Sequence, residues 1–173
     1  AMAPAASLAD LGAGGVLDVN QDRNRAALAA AGAQGVCGIV DVRPGIRWAV
    51  AKAATLCHEH DARVAVIARS PAAAEIDELE RDGADVLVVS RDEYETACGW
   101  FVRAVAERRV TVRADDRLDA AVAAATKRTA GTDRFVWDRR DDATGDVCAL
   151  VAVTVAAWAA ENAELDDGGT SVW

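Results

Sequence analysis

The sequence has few aromatic residues, three prolines and no closely spaced pair of cysteines. Aromatic residues make up 5% of its 173 residues, so alanine and the aliphatic residues must supply most of the core. Cysteines that lie far apart favour neither a zinc knuckle nor a disulfide framework. We therefore expect buried free thiols at all four cysteines, which are Cys37, Cys57, Cys98 and Cys148.

The chain also lacks an excess of basic charge and a long hydrophobic run. Its 19 basic and 28 acidic residues give a formal net charge of −9, which argues against binding a polyanion by bulk charge. Apolar runs such as 147–160 fall short of the ~20 residues that span a bilayer, so we expect no membrane segment. The start has no signal-peptide pattern, and no Walker A motif for an ATPase occurs.

The composition predicts one compact domain. Hydrophobic residues form 52% of the chain and charged residues 27%, which excludes a wholly disordered protein. A length near ~150 residues is typical of a single domain. We expect residues 1–12 to be a flexible lead-in or cloning remnant of an excised intracellular piece, residues 13–165 to form the domain and residues 166–173 to form a frayed tail.

Hydrophobic patterning predicts an α/β fold. Three short strands open it as antiparallel neighbours, and buried strands then alternate with helices, which requires parallel pairing. The predicted strands are 16–19, 26–31, 36–42, 63–67, 85–89, 110–112 and 134–137. The predicted helices are 46–60, one from Ser70 to Gly83, one capped by Ser90, one from Asp116 to about Lys127, and a last one from near Asp146. Trp48, Trp100 and Trp158 are assigned to the core.

Two aspartates are the main candidates for chemistry. Asp18 ends an apolar strand, where a carboxylate must be hydrogen-bonded, paired or bound to a cation. Asp146 precedes an apolar helix, where capping alone is also an adequate explanation. A first-strand carboxylate beneath a carboxylate at a helix start is the arrangement with which RNase H-like nucleases bind Mg²⁺ or Mn²⁺.

A series of short segments resembles the C-terminal nuclease domain of phage terminase large subunits, most closely those of actinobacterial phages and prophages. The resemblance extends from about residue 16 to residue 161 and depends on the order of the segments. They are 17–23 (LDVNQDR), 66–72 (VIARSPA), 93–99 (EYETACG), 118–122 (LDAAV), 127–131 (KRTAG), 137–140 (WDRR) and Asp146.

The resemblance implies an RNase H-like mixed sheet, flanked by helices, and metal-dependent cleavage of concatemeric double-stranded DNA during genome packaging. It assigns catalysis and binding of Mg²⁺ or Mn²⁺ to Asp18 and Asp146. A further acidic position of the family falls on Ala68. This departure has three explanations: an engineered inactivating change, decay in a prophage, or replacement by a nearby acid such as Glu75 or Asp61.

The implied partners are double-stranded DNA, a terminase ATPase domain that this chain lacks, the portal and the small terminase subunit, all in the cytoplasm of a bacterial host. Local basic residues would contact the DNA backbone. The predicted contacts are Arg23, Arg25, Lys127, Arg128, Arg139 and Arg140. Asp141 or Asp142 could assist the metal.

Two alternatives remain open. Because Ala68 removes an acid, the domain could be a catalytically silent DNA-binding or docking part of the packaging motor. An RNase H-like resolvase or RNA nuclease is the other alternative.

Overall fold

The computed structural model describes residues 14–32, 35–139 and 146–165. The predicted lead-in and tail therefore lie outside the described residues. In chain order the elements are β1 (Gly14–Val19), β2 (Arg25–Ala31), β3 (Val36–Pro44), α1 (Arg47–His60), β4 (Arg63–Ile67), a 3₁₀ helix (Pro71–Glu75), α2 (Ile76–Arg81), β5 (Asp85–Val89), α3 (Arg91–Ala106), β6 (Thr111–Val112), α4 (Asp116–Ala124), β7 (Lys127–Thr129), β8 (Phe135–Trp137) and α5 (Cys148–Leu165).

Six strands form one mixed sheet in the order β5-β4-β1-β2-β3-β6. Strands β1, β2 and β3 are antiparallel neighbours, as the sequence predicts. Strands β4 and β5 pair in parallel with each other, and β4 pairs in parallel with β1. The last two strands, β7 and β8, form a separate antiparallel ribbon. The predicted α/β architecture is confirmed.

Helices cover both faces of the sheet. Because side chains alternate along a strand, Val16 faces one side of β1 and Leu17 faces the other. The Val16 side packs against α3, α4 and α5, while the Leu17 side packs against α1 and α2. Helix α5 is apolar on nearly every side because it lies across the central strands and is covered by α3 and α4.

One predicted helix end is wrong, and two predicted helix starts differ from the structure only in detail. Helix α4 ends at Ala124, not near Lys127, because Ala125 is extended and the next residues pair with β8. Helix α5 begins at Cys148, after a turn formed by Asp146. The segment after Ser70 starts as a 3₁₀ helix. Ser90 does cap α3, in a reciprocal capping box with Glu93.

The three tryptophans assigned to the core lie at its margin. Trp48, Trp100 and Trp158 are all half-buried, and Trp48 and Trp100 pack against the buried core. Alanine and valine fill most of the buried positions of α1 and α5. The guanidinium of Arg43 lies 4.3 Å from the Trp48 ring centroid, at the rim of the sheet.

All four cysteines are buried free thiols, as predicted. Within the described ranges, no helix is both long enough and apolar enough to cross a membrane.

Candidate functional site

Strand alternation directs Asp18 towards α5. Asp18 is two residues after Val16, so it shares the face of β1 that α5 covers. Its side chain is completely buried beneath the start of that helix. A carboxylate in such a place needs a partner, because transferring a charge out of water is costly.

The partner of Asp18 is Arg139. The guanidinium donates from Nη2 to Asp18 Oδ1 and from Nη1 to Oδ2, both at 2.7 Å, and Nη1 also donates to the carbonyl oxygen of Val19 at 3.1 Å. Burial raises the pKa of Asp18 above its usual value, and Arg139 opposes that rise. Burial also opposes the charge on Arg139, yet the Asp18 carboxylate raises the pKa of Arg139 above its usual value. The pair is a buried, bidentate ion pair.

Asp146 lies near this pair, at the entrance to α5. Its Oδ1 accepts a hydrogen bond from the backbone N–H of Cys148 at 2.9 Å, an Asx turn that leads into the helix. Its Oδ2 is buried and accepts no hydrogen bond from the described residues, and Arg25 Nε lies 3.8 Å from it. Asp146 is close enough to Asp18 to contribute to the raised pKa of Asp18.

A polar cavity of about 260 Å³ opens between the β1–β2 turn and the start of α5. We call it the acid cavity, and its lining residues are Asn20, Gln21, Asp22, Asn24, Arg25, Arg139, Asp146, Val147 and Cys148. Asn20 shapes the turn, because its Oδ1 accepts from the backbone N–H groups of Asn24 and Arg25, each at 3.0 Å. Asp146 thus lines the acid cavity with a carboxylate whose Oδ2 accepts no hydrogen bond from the described residues and has Arg25 Nε at 3.8 Å.

The two arginines predicted to follow the first acid have different surroundings. Arg25 opens β2 and lines the acid cavity. Arg23 adopts a left-handed backbone conformation, with φ of 55°, and pairs with Glu75 and the carbonyl oxygen of Pro71. Arg23 therefore braces the β1–β2 turn against the 3₁₀ helix.

The basic residues predicted to flank the second acid are also separated. Lys127 is exposed on β7 with its Nζ 4.6 Å from the Phe135 ring centroid. Arg128 is half-buried on the same strand. Arg139 is not the exposed contact that the sequence suggests, because its side chain is 12% exposed and held by Asp18. Arg140 lies outside the described residues.

Neither acid offered as a replacement at Ala68 joins the Asp18 carboxylate. Glu75 is buried but paired with Arg23. Asp61 is exposed and ends α1 just before β4, so it lies at the amino end of β4. Strand β1 runs parallel to β4, which puts Asp18 at the opposite edge of the sheet. Asp141 and Asp142 fall outside the described residues.

A second hollow, with a volume of about 170 Å³, lies on the other side of Arg139. We call it the arginine cavity, because Arg69, Arg91, Arg128 and Arg139 all line it. Arg69 and Arg91 were missed from the sequence. Each directly follows the end region of a parallel strand, β4 or β5, and these ends meet at the edge that holds Asp18. The predicted parallel pairing of these strands was the feature from which the proximity of Arg69 and Arg91 could have been inferred.

Solved structures share this arrangement of strands and helices. The large terminase nuclease from thermophilic phage G20c matches with a TM-score of 0.64 and 14% identity, covering 81% of this chain and 77% of that chain. The chain has the fold of a large-terminase nuclease. This result confirms the predicted RNase H-like fold class.

Two further terminase-nuclease structures carry metal ions. The G20c nuclease with bound magnesium gives a TM-score of 0.61 and 13% identity, covering 83% of this chain and 80% of that one. A mutant nuclease domain of the large terminase subunit gp2 of bacterial virus Sf6, with manganese, gives a TM-score of 0.54 and 10% identity. The match covers 86% of this chain and 89% of that chain. No protein-family model and no curated protein matches the sequence.

The donor atoms present fit one hard cation. Asp146 Oδ2 is a buried carboxylate oxygen that accepts no hydrogen bond from the described residues. Asp18 is completely buried and does not line the acid cavity, but its oxygens retain lone pairs beyond the two used by Arg139. Within the three described ranges no group of three His, Cys, Asp or Glu side chains converges as a metal cluster. Mg²⁺ binds through one or two carboxylates together with water and phosphate oxygens. The residues therefore suit a cation completed by substrate.

Proposed function

We propose that this chain is the nuclease domain of a phage packaging terminase. It hydrolyses phosphodiester bonds of concatemeric double-stranded DNA, with Mg²⁺ or Mn²⁺, in the cytoplasm of a bacterial host. The observation that carries this proposal is the proximity of Asp18, at the end of β1, to Asp146, just before α5, whose Oδ2 accepts no hydrogen bond from the described residues. The motif series 17–23 to 146 favours a terminase of an actinobacterial phage or prophage.

Asp146 and Asp18 are the residues that would hold the cation. A divalent cation bound there supplies water activation and charge stabilisation on the scissile phosphate and the leaving oxygen. Arg139 fixes the orientation of Asp18 through two hydrogen bonds and offsets the repulsion between the two carboxylates. Arg25, beside Asp146 in the acid cavity, can donate to a phosphate oxygen of the DNA.

The proposal includes partners that the chain itself does not supply. A packaging terminase needs an ATPase domain, and the portal and the small terminase subunit complete the machine. Double-stranded DNA is the substrate. With a net charge of −9, the chain must bind DNA through local arginines or together with these partners.

A second candidate function is a catalytically silent DNA-binding or docking domain of the packaging motor. Ala68 leaves the site without the third acid that the family resemblance leads us to expect. Both Asp18 oxygens also accept hydrogen bonds from Arg139, a cation that already balances one carboxylate charge. Both observations lower the expected affinity for a metal.

Plasmid cleavage distinguishes the two candidates. We would incubate supercoiled plasmid with the chain in Mn²⁺, and compare it with Asp146→Asn and with Asp61→Asn, an exposed acid at the opposite sheet edge. The nuclease proposal predicts nicking by the unmodified chain and by Asp61→Asn, and its loss in Asp146→Asn. Ala68→Asp should increase the rate if the missing acid limits turnover.

The other results identify the alternatives. DNA binding without nicking, in the unmodified chain and in Ala68→Asp alike, would support the silent domain. Cleavage restricted to four-way junctions or RNA hybrids would support a resolvase or an RNA nuclease. Nicking that persists unchanged in Asp146→Asn would reject the proposed site.

A further inference from the structure

The arginine cavity combines four guanidinium groups in one hollow. Arg69 follows β4, Arg91 begins α3, Arg128 lies on β7, and Arg139 forms the wall shared with the acid cavity. Four separate parts of the chain thus bring positive charge to a space of about 170 Å³.

The positive charge in the arginine cavity is only partly balanced. Asp18 neutralises Arg139, and Arg91 Nε lies 3.4 Å from Glu95 Oε1. Neither Arg69 nor Arg128 forms an ion pair with another described residue, and Arg128 Nε is buried without a hydrogen bond from or to the described part of the chain. None of the described lining residues is acidic. A buried donor such as Arg128 Nε is costly to leave without a hydrogen bond, and an anion in the cavity could accept from it.

The neutral groups around the arginines are suited to the same ligand. Gln21 adds an amide to the lining, and the buried ring of Tyr94 closes one wall. Ser70 also lines the cavity, but its hydroxyl donates to the carbonyl oxygen of Ile67 at 2.7 Å. Guanidinium groups bind phosphate through paired N–H donors, in a geometry that an ammonium group does not reproduce. The cavity has the chemistry of a site for a single phosphate group.

The position of the cavity indicates which phosphate it would take. Gln21 and Arg139 line both cavities, so the two hollows are neighbours that share a wall. A strand of DNA whose scissile phosphate lies in the acid cavity would bring another backbone phosphate to the arginine cavity. The assignment of a DNA backbone phosphate to the arginine cavity rests on the proposed function, whereas the presence of an anion site there does not.

We infer that Arg69, Arg91 and Arg128 form a phosphate-binding subsite that holds a backbone phosphodiester of duplex DNA next to the acid cavity. The subsite fixes the position of the DNA strand relative to Asp18 and Asp146. It requires no divalent cation, because its charge comes from arginine.

The first test uses inorganic phosphate as the probe. Thermal unfolding is measured in EDTA, in phosphate and in chloride of equal ionic strength, for the unmodified chain, Arg128→Gln and Arg69→Gln. A ligand that binds only the folded state raises the melting temperature. The matched control is Arg103→Gln, which removes the same charge from an exposed position on α3 outside both cavities.

The second test measures binding of a 20-base-pair duplex, also in EDTA, by fluorescence anisotropy over a range of salt concentrations. We expect Arg128→Gln to weaken binding roughly tenfold, and to reduce the slope of log K against log salt by about 0.9 for each lost phosphate contact. Arg103→Gln should leave the slope unchanged. A duplex with 5′-phosphates is compared with one without them, to separate a backbone phosphate from a terminal one.

The inference holds if phosphate stabilises the unmodified chain and Arg103→Gln but neither cavity variant, and the cavity variants bind duplex less tightly. It is overturned if phosphate has no effect beyond chloride, or if the cavity variants bind duplex as Arg103→Gln does. It is also overturned if their defect appears only with 5′-phosphorylated ends. Because Arg69 is exposed, Arg69→Gln tests the site even if Arg128→Gln does not fold. If duplex binding depends on Arg69 and Arg128 as expected but the unmodified chain does not cleave plasmid in Mn²⁺, the proposed nuclease activity is rejected and the phosphate subsite is not.

Discussion

Arg139 donates two hydrogen bonds to Asp18, which is 121 residues away in the sequence. The pair joins the residue predicted to bind a metal to a residue predicted to contact DNA. It also connects the end of β1 to the chain just after β8, and it holds Arg139 in the wall of the acid cavity. The organisation of the candidate site thus depends on a buried ion pair.

The Asp18–Arg139 pair should show strong energetic coupling. Asp18→Asn leaves a buried guanidinium without its carboxylate, and we expect it to lower the free energy of unfolding by about 3–5 kcal/mol. Arg139→Met should also be strongly destabilising, whereas the double variant should be more stable than the sum of the two losses predicts. Urea unfolding of all four proteins in EDTA gives the coupling energy.

The exposed pair Arg109–Glu161 provides the control for this cycle. Its Nη1–Oε1 distance is 2.9 Å, but both side chains are more than a third exposed. Solvent screening should leave its coupling close to zero. If the losses of unfolding free energy in the Asp18 and Arg139 variants were simply additive, the ion pair would not organise the candidate site.

A second prediction concerns acid stability. Arg117 donates to Asp115 and to Asp41, and so connects the start of α4 to β3. The hydrogen bond from Arg117 lowers the pKa of Asp115 against the effect of burial. At Asp41 burial is the larger influence, but Arg117, Arg43 and Lys52 together hold the pKa below its usual value.

A carboxylate with a lowered pKa stabilises the folded state above its unfolded pKa of ~3.9, and this contribution disappears as the pH falls through the folded value. The difference in unfolding free energy between the unmodified chain and Arg117→Gln should therefore have its full value above about pH 4 and become smaller as the pH falls further. Urea unfolding between about pH 2.5 and 7 measures it. Arg81→Gln, at an exposed arginine without an ion pair among the described residues, should show no such trend.

A third prediction tests the buried hydrogen bond between β8 and α5. Thr154 is fully buried, and its hydroxyl accepts from Trp137 Nε1 at 3.0 Å while donating to the carbonyl oxygen of Leu150 at 2.8 Å. Thr154→Val removes the acceptor and leaves the indole N–H unpaired, which should cost about 1–3 kcal/mol of unfolding free energy.

Thr55→Val is the matched control for Thr154→Val. Thr55 makes the same kind of helix hydrogen bond, to the carbonyl oxygen of Ala51 at 3.0 Å, but it is exposed. Its replacement should change stability by less than about 0.5 kcal/mol. Equal losses in the two variants would indicate that the Trp137 contact contributes nothing.

The strands of the sheet were the most predictable part of the fold. Strands β4 and β5 have the predicted bounds, because each is a short apolar run between polar or turn residues. Asp61 precedes β4 and Arg69 follows it, whereas Gly83 precedes β5 and Ser90 follows it. Strand β7 was missed because Lys127–Thr129 carries no hydrophobic alternation. Residues 127–129 form a strand because they pair with β8, which lies later in the chain.

The candidate site was only partly predictable. A carboxylate within an apolar strand singles out Asp18, and the start of an apolar helix draws attention to Asp146. Nothing in the local sequence distinguishes Arg139 from Arg140, since the hydrogen bonds of Arg139 depend on tertiary structure. The missed arginines, Arg69 and Arg91, become visible only when the parallel pairing of β4 and β5 is used to place their ends together.

The most direct test of the account is a Mn²⁺ titration followed by electron paramagnetic resonance of the free ion, with duplex DNA present. We predict one bound Mn²⁺ per chain, with affinity at least tenfold weaker in Asp146→Asn and unchanged in Asp61→Asn. Binding by Asp146→Asn that equals that of the unmodified chain, or no bound Mn²⁺ in the unmodified chain, would contradict a cation site between Asp18 and Asp146.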